Sequence, residues 1–366
     1  MYIKTLELSD FRNYDNLSIN FGQDTNILYG DNAQGKTNVL ESVYLAATTR
    51  SHRGSKDKEI IRFGKEEAHI KMIVMKNEVP VRIDMHLKKN KPKGIAVNGI
   101  PLKRASELFG ILNVVFFSPE DLNVIKNGPA ERRKFIDTEL CQLDKIYLHD
   151  LISYGKILNQ RNRLLKDIVY AKGGHELFDT LDIWDMQMAQ YGENIIEKRK
   201  CFVEKINHVI TETHGSITNG KENLQIRYEP GVKGNTLYDE LKKNRDRDLR
   251  MGSTMAGPHR DDIGFYNHDI DIRRYGSQGQ QRTAALSLKL SEIDLVKEAI
   301  KDVPVLLLDD VLSELDSSRQ KQLLDNINGI QTMITCTGLD EFVENRFHID
   351  SVYKVTNGTI ERSRNE

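Results

Sequence analysis

Gly30-Asp31-Asn32-Ala33-Gln34-Gly35-Lys36-Thr37 matches the phosphate-binding pattern G-x-x-x-x-G-K-[ST] at every position. A short β-prone run, Ile27 to Tyr29, ends directly before it, and apolar residues at helical spacing follow it. In such a loop, backbone N–H groups surround a nucleotide β-phosphate and the following helix adds its dipole. The pattern predicts that Lys36 binds the β- and γ-phosphates and that Thr37 binds Mg²⁺. We expect the other loop residues to bind the same nucleotide, namely Gly30, Asp31, Asn32, Ala33, Gln34 and Gly35.

A pair of carboxylates follows an apolar run near the other end of the chain. Val305 to Leu308 is a continuous apolar segment of the kind buried in parallel sheets, and it ends at Asp309-Asp310. A strand that ends in two aspartates is common, but phosphoryl-transfer chemistry beside a phosphate-binding loop requires such a carboxylate. We therefore predict that Asp309 binds Mg²⁺ and that Asp310 polarises the attacking water.

A third motif, Ser277-Gln278-Gly279-Gln280-Gln281, stands 32 positions before Asp309 and precedes a helical pattern. It resembles the S-x-G-x-Q signature of ABC-type ATPases, and Ser313 to Asp316 resembles their D-loop. By this resemblance, Ser277, Gly279 and Gln280 complete a nucleotide site on a second subunit, as a helix N-terminus facing the γ-phosphate. Two departures stand out: Gly276 replaces the leucine of transporter signatures, and Asp310 replaces the usual Glu, so its role as the base stays open.

The patterns along the chain predict an α/β fold with two lobes. Val81 to Leu87 alternates strictly and Val97-Asn98-Gly99-Ile100 is a hairpin signal, so we expect an antiparallel meander in a mixed sheet. Apolar residues at helical spacing from Leu140 to Val209, broken at Gly173-Gly174, predict two long helices. Ile263 with Phe265, and then Ile270 with Ile272, also alternate, and we expect a turn at Asn267-His268-Asp269 between them. The predicted first lobe is an ATPase head of residues 1–117 and 300–366; the second, largely helical lobe of residues 118–299 carries the signature.

The composition excludes several classes of protein. Of the 366 residues, 39% are hydrophobic, and the longest apolar stretches fall far short of the roughly 20 residues that cross a bilayer. The three cysteines are scattered, which indicates neither a disulfide framework nor a zinc-binding CxxC pair, and no targeting segment is visible. We expect a cytoplasmic protein. A net charge of -1 gives no bulk sign of a nucleic-acid partner, so any such contact must come from local patches.

Several further motifs narrow the resemblance to one family. They extend over essentially the whole chain, and Lys36 and Asp309 stand 273 positions apart, too many for a transporter ATPase domain and too few for a long coiled-coil arm. The chain is similar to the RecF family of bacterial recombination mediators in the following segments: Leu8 to Tyr14, Gly35 to Glu41, Arg50 to Arg53, Phe117 to Leu122, Gly128-Pro129 with Arg132-Arg133, and Gly257 to Asp262.

The resemblance implies an ABC-type head that forms a homodimer on ATP, binds single-stranded, duplex or junction DNA as a dimer, and hydrolyses ATP slowly. It also implies a role in recombinational repair and in the repair of replication gaps and stalled forks, with RecR and RecO as partners that help to place RecA on single strands. No preference among these DNA structures follows from the sequence, and neither does the surface that RecR uses.

Several weaker candidates for functional residues can each be explained by an ordinary structural role as well. Arg12 and Asn13 resemble nucleotide contacts of this class, although an exposed turn arginine is also ordinary. Glu120 stands where a magnesium-sensing residue is expected but also suits a helix start. Thr335 or Thr337 replaces the transporters' switch histidine as a γ-phosphate sensor. Candidate DNA contacts, each of which is equally at home on a solvated surface, are Arg50, His52, Arg53, Arg132 and Arg133.

Two other classes of protein share part of this pattern. The ATP-hydrolysing subunit of a transporter would carry all three motifs, but it should lack the helical insertion from about Gly128 to Gly215 and should have the switch histidine. A P-loop kinase or GTPase would leave the Ser277 motif unused, and the guanine-reading N-K-x-D motif is missing from the sequence. The transporter subunit is therefore the alternative that stays open.

Overall fold

A computed structural model describes residues 1–170, 175–232, 234, 236–339 and 349–363. The chain divides into two compact units. The first unit comprises Met1–Asp121 and Leu288–Glu366, and the second comprises Leu122–Ser287. The C-terminal limit of the second unit differs from the predicted 299 because it falls inside one continuous helix. Beyond that limit the helix carries first-unit side chains such as Lys289, whose ammonium lies over the Phe117 ring.

An antiparallel sheet forms one layer of the first unit. Its strands alternate between buried apolar and exposed polar side chains, as the sequence predicts for a meander with one face on the core. Asn98 and Gly99 have φ of 52° and 80° and join the last two strands with Val97 opposite Ile100, which confirms the predicted hairpin. The strands follow the order β2-β1-β4-β5-β6-β7 and comprise β1 (Tyr2–Phe11), β2 (Tyr14–Asn20), β4 (Glu67–Lys76), β5 (Val79–Lys88), β6 (Lys91–Val97) and β7 (Ile100–Pro101).

A second, mostly parallel sheet forms the other layer and positions the nucleotide loop. Its order is β15-β14-β3-β13-β12-β8, and only the β14–β15 pair is antiparallel. Carboxyl ends of parallel strands share one edge of a sheet, so the ends of β3, β13 and β12 meet there. The strands comprise β3 (Thr25–Tyr29), β8 (Val114–Phe117), β12 (Val305–Asp309), β13 (Thr332–Cys336), β14 (Ile349–Thr356) and β15 (Thr359–Ser363).

Helices complete the first unit. Val39, Leu40 and Val43 on the helix after Gly35 are fully buried in a core that also takes side chains from both sheets. The predicted mixed α/β head is therefore confirmed. The helices are α1 (Lys36–Thr48), α2 (Asp57–Ile60), the C-terminal part of α10 (Gln278–Ile300) and α11 (Ser317–Asn326).

The second unit is largely helical, as predicted. Its two long helices are amphipathic and pack on each other; the predicted break at Gly173-Gly174 lies outside the described residues. The extended pattern through Ile272 is wrong in its last residue, because Asp271 caps a short helix there by accepting the Arg273 N–H. The elements are α3 (Leu122–Lys126), α4 (Pro129–Leu143), α5 (Lys145–Tyr170), α6 (His175–Thr218), β9 (Leu224–Glu229), α7 (Leu237–Lys243), α8 (Arg245–Met251), β10 (Asp262–Asn267), β11 (Ile270–Asp271), α9 (Ile272–Tyr275) and the start of α10.

Within the described part of the chain, none of the helices combines the length and apolar character that crossing a bilayer requires.

Candidate nucleotide site

The loop Gly30–Thr37, hereafter the P-loop, leaves the carboxyl end of β3 and enters α1. Its two glycines are required by the backbone conformation and by neighbouring atoms of the chain. Gly30 has φ 150°, and a Cβ there would lie 2.3 Å from the Val355 carbonyl oxygen. Gly35 has φ 116°, and a Cβ there would lie 2.6 Å from Asn13 Nδ2. Only glycine fits both the backbone conformation and the space at these positions.

Lys36 is the first residue of α1 and is only 4% exposed. Its Nζ donates to the carbonyl oxygens of Gly30 and Asp31 at 2.6 and 2.9 Å, so the side chain folds back over the loop. No acidic residue lies in the first turn of α1. The lysine charge and the helix dipole therefore both favour an anion in the P-loop.

Thr37 and Asp309 meet as the sequence predicts. Thr37 Oγ1 donates to Asp309 Oδ1 at 2.7 Å, across 272 positions of sequence. Thr335, at the end of the intervening strand β13, donates to the same carboxylate oxygen at 2.8 Å and accepts the Asp310 N–H at 3.0 Å. Asp310 has φ 52°, a conformation that costs a non-glycine residue free energy. The Thr335 hydroxyl thus holds both aspartates, and this role was not predicted from the sequence.

Burial raises the pKa of the Asp309 carboxyl, and the neighbouring Asp310 acts in the same direction, against the hydrogen bonds from Thr37 and Thr335. A carboxylate destabilised in this way gains from a bound cation. Hard oxygen donors from a hydroxyl and a carboxylate are the ligands that Mg²⁺ prefers. The residues present therefore fit a magnesium-bound triphosphate, and Thr37 and Asp309 are the residues that would hold the metal.

Hydrogen bonds from three neighbouring residues support the P-loop. Asn13 Nδ2 donates to the Gln34 carbonyl at 2.8 Å, and the buried Tyr14 hydroxyl donates to the Gly35 carbonyl at 3.0 Å. The Asn357 N–H, in the β14–β15 turn, donates to Gln34 Oε1 at 2.6 Å. Asn13 thus contacts the loop itself, and its contact with nucleotide stays a prediction. Tyr14 and Asn357 carry no motif of their own and were not found from the sequence.

Arg12 is held by protein groups. Its guanidinium forms a two-point ion pair with Glu41 of α1, at 2.6 and 2.8 Å, and also donates to the Glu59 carbonyl and Ser55. Burial pushes the Glu41 pKa upward, but the hydrogen bonds from Arg12 and Ser51 outweigh it and hold that pKa below its usual range. The structure therefore gives Arg12 the role of fixing the β1–β2 turn to α1, and a nucleotide contact stays a prediction.

The predicted signature lies at the start of α10, in the second unit. Ser277 and Gln280 form a reciprocal cap, in which Ser277 Oγ accepts the Gln280 N–H at 3.2 Å and Gln280 Oε1 accepts the Ser277 N–H at 2.9 Å. A Cβ on Gly276 would lie 2.5 Å from the Ile272 carbonyl, which explains why leucine is not found there. Gly279 is different: it is exposed, and a Cβ on it would meet only Ser277 Oγ, at 3.8 Å.

Comparison with known proteins agrees with this geometry. The family model described as RecF/RecN/SMC N terminal domain matches residues 2–361. The chain is 62% identical over 361 residues to the DNA replication and repair protein RecF of Agathobacter rectalis, covering 99% of both chains. This chain belongs to the RecF family. It also resembles a solved structure of the recombination mediator protein RecF with ATP in the RecFOR pathway, with a TM-score of 0.92, 38% identity and coverage of 99% and 98%.

A more distant likeness supports the fold alone. An SMC head domain bound to the C-terminal winged-helix domain of ScpA superposes with a TM-score of 0.57 at 17% identity, covering 99% of this chain and 97% of the head. The RecF family and SMC heads thus share the ABC-type α/β head predicted from the P-loop, Asp309 and Ser277 motifs. None of these relatives supports the transporter alternative.

The side chains of three predicted DNA contacts in this RecF-family chain are engaged by neighbouring groups of the chain. The His52 ring packs between Tyr44 and Phe116, where burial lowers its pKa to about 4 and keeps it uncharged. Arg132 is 2% exposed and is held by Asp262 at 2.6 Å and by two backbone carbonyls. Arg133 is half-buried and donates to the Asp261 carbonyl at 2.6 Å. These contacts make His52 and Arg132 poor candidates for an external phosphate, and a DNA contact of the half-buried Arg133 stays a prediction.

Arg50 and Arg53 remain available for phosphate contacts with DNA. Both are exposed; Arg53 makes only a 3.2 Å contact to Asn38 and a 4.0 Å contact to Glu41, and among the described residues Arg50 has no ion pair. They stay candidates for phosphate contacts.

The His259 to Asp262 segment, for which the sequence suggested no role, fixes the second unit of this RecF-family chain internally. Asp261 is 1% exposed and accepts hydrogen bonds from Arg199 at 2.8 Å, from the Gly231 N–H at 2.7 Å and from the Tyr228 hydroxyl. His259 Nε2 donates to the Thr254 carbonyl at 3.0 Å, and His259 Nδ1 accepts the Tyr154 hydroxyl at 2.7 Å. The segment therefore joins several elements of the second unit through hydrogen bonds centred on the buried Asp261.

Proposed function

We propose that this chain is an ATP-dependent DNA-binding protein of recombinational repair, in which two copies close around ATP and open after slow hydrolysis. The P-loop binds the triphosphate, and Thr37 and Asp309 hold Mg²⁺. RecO and RecR are the expected partners, because the solved RecF–ATP structure is described as part of the RecFOR pathway. The chain's similarity to RecF over nearly its whole length supports the assignment.

Gly279 is the observation that carries the proposal of a composite site. The P-loop glycines are demanded by neighbouring atoms of the chain, whereas the space around Gly279 is open. An exposed glycine in the first turn of a long helix costs stability, so a close approach from outside explains it better than packing does. The first turn of α10 has no acidic residue, which suits an approaching γ-phosphate.

The residues then divide the chemistry between two copies. Lys36 neutralises the β- and γ-phosphates, and Ser277 with the Gly279 N–H of the other copy donates to the γ-phosphate. Bound Mg²⁺ would neutralise charge on the β- and γ-oxygens. Asp310, whose backbone is fixed by Thr335, accepts the proton of the attacking water. Its side chain is shorter than the usual glutamate, which agrees with slow turnover.

Sedimentation velocity tests the composite site. We expect a monomer without nucleotide, a dimer with Mg²⁺ and ATP, and a Ser277→Arg variant that binds ATP normally but stays a monomer, because the arginine fills the space next to Gly279. Thr211→Arg, an exposed position on α6, is the matched control and should dimerise. A wild-type monomer at saturating ATP, or a dimer of Ser277→Arg, would contradict the proposal.

A further inference from the structure

Three side chains that the nucleotide chemistry does not use gather on the outer face of the antiparallel sheet. Glu67 and His69 are two positions apart on β4 and point to the same face, and His86 on β5 lies directly opposite His69. All three are at least partly exposed, with side-chain exposures of 52%, 49% and 32%. The three side chains are brought together by the β4–β5 register, and no sequence motif predicts the cluster.

Their ligand atoms converge. One potential metal-binding atom from each of the three side chains lies within 4.8 Å of the other two. His86 Nε2 is 2.9 Å from Glu67 Oε2, and His69 Nε2 is 4.0 Å from Glu67 Oε1. In a tetrahedral zinc site with bonds of 2.0–2.1 Å, neighbouring ligand atoms are about 3.3–3.5 Å apart. Exposed side chains reach that spacing by small rotations.

The two imidazole rings lie against each other. They are stacked at a centroid distance of 3.9 Å and an interplanar angle of 24°. A neutral imidazole is the ligand that divalent transition metals require.

The sheet leaves room beside the cluster. The register of β5 against β6 shifts between His86 and Lys88, and such irregularities re-aim side chains near sites. Gly94 lies opposite His86, and a Cβ there would come within 3.9 Å of the His86 Cβ. A groove of about 720 Å³ runs past His69, His86 and Gly94. This space accommodates a cation together with water or an anionic fourth ligand.

We propose that Glu67, His69 and His86 form a binding site for one divalent transition-metal cation, with Zn²⁺ as the ion that their donor set fits best. Two imidazole nitrogens and one carboxylate leave a fourth position open, as in zinc sites with three protein ligands. Bound metal would link β4 to β5 at the outer face. The site is separate from Thr37 and Asp309, whose hydroxyl and carboxylate oxygens suit Mg²⁺.

Calorimetric titration of the full chain with ZnCl₂, in saturating Mg²⁺ and ATP, tests this site. We expect one Zn²⁺ per chain in the wild type, and at least tenfold weaker binding in both His69→Ala and His86→Ala. His208→Ala, an exposed histidine on α6, is the matched control and should bind like the wild type. Equal Zn²⁺ binding by wild type and by the His69→Ala, His86→Ala double variant would overturn the proposal.

Two further variants make the test specific. Lys88 Nζ lies 3.6 Å from Glu67 Oε2 and opposes a cation there, so Lys88→Gln should tighten Zn²⁺ binding by roughly two- to fivefold. Cys201 carries an exposed thiol, which is another group that could bind Zn²⁺. If the histidine site holds the ion, Cys201→Ser should leave Zn²⁺ binding unchanged. Loss of the bound Zn²⁺ in Cys201→Ser alone would refute the histidine site. Because all arms contain Mg²⁺ and ATP, failure of this site leaves the nucleotide proposal untouched.

Discussion

At the scale of single residues, the nucleotide site concentrates unfavourable features that a ligand would relieve. Asp310 has positive φ, the carboxylates of Asp309 and Asp310 are adjacent, and the Lys36 ammonium is buried on backbone carbonyls. Active sites commonly hold such strain and charge because the ligand, rather than the empty protein, satisfies them. The free chain should therefore become more stable when one of these features is removed.

Asp309→Asn tests this idea. The pKa of Asp309 is raised by burial, so the folded chain holds that proton more tightly than the unfolded chain. Ionisation of Asp309 therefore lowers the free energy of unfolding as pH rises through and above the usual aspartate range. Asparagine keeps an oxygen that accepts from Thr37 and Thr335 but carries no charge.

We expect the Tm of nucleotide-free Asp309→Asn at pH 7 to exceed that of the wild type by a few degrees, measured by calorimetry. The difference should shrink as the pH is lowered and the wild-type carboxyl becomes protonated, which its raised pKa places above the usual aspartate range. Asp325→Asn, an exposed position on α11, is the control and should show no gain. A lower Tm for Asp309→Asn at pH 7 would contradict this account.

At the scale of elements, the helices of the second unit are joined by buried charge rather than by apolar packing alone. Arg161 of α5 is fully buried and donates to Asp185 of α6 at 2.6 Å and to Asp248 of α8 at 2.7 Å. It also donates to Thr254 at 2.8 Å. One guanidinium thus fixes the relative positions of three helices, and the periodicity that predicted α5 as amphipathic did not reveal this.

Arg161→Met should destabilise the second unit by about 3–5 kcal/mol, because it removes the cation from the buried Asp248 carboxylate and leaves the buried Asp185 with Arg245 alone. Urea unfolding followed by the signal of Trp184, which packs beside this region, measures the effect. Arg163→Met removes an exposed arginine two positions along α5 and is the matched control, with an expected change within about 0.5 kcal/mol. A loss below about 1 kcal/mol for Arg161→Met would show that the ion network is not needed.

At the scale of the whole molecule, a net charge of -1 means that DNA binding must rest on few local contacts. Arg132 is buried and His52 and Arg133 are half-buried, so Arg50 and Arg53 are the exposed members of the predicted set. We therefore expect a modest dependence of DNA affinity on salt. Each duplex phosphate neutralised contributes a slope of about -0.9 in the logarithm of affinity against the logarithm of salt concentration.

Fluorescence anisotropy with duplex DNA, Mg²⁺ and ATP measures that slope. Arg50→Ala and Arg53→Ala should each make it less negative by about 0.9, because each removes one phosphate contact. Arg104→Ala, an exposed arginine elsewhere in the first unit, should leave the slope unchanged. Unchanged slopes for both Arg50→Ala and Arg53→Ala would remove these residues from the DNA interface.

The sequence by itself determined the class of fold and the central residues of the candidate nucleotide site. The P-loop, the Asp309 strand and the long amphipathic helices are local patterns, because a phosphate loop, a buried strand and a helix face are each written in neighbouring residues. The tertiary structure decided which polar side chains are engaged in contacts within the chain and which are exposed. Arg132 is buried, the His52 ring packs on Phe116, Thr335 hydrogen-bonds to both aspartates, and the Glu67 cluster converges through strand register. Each of these contacts joins residues distant in sequence.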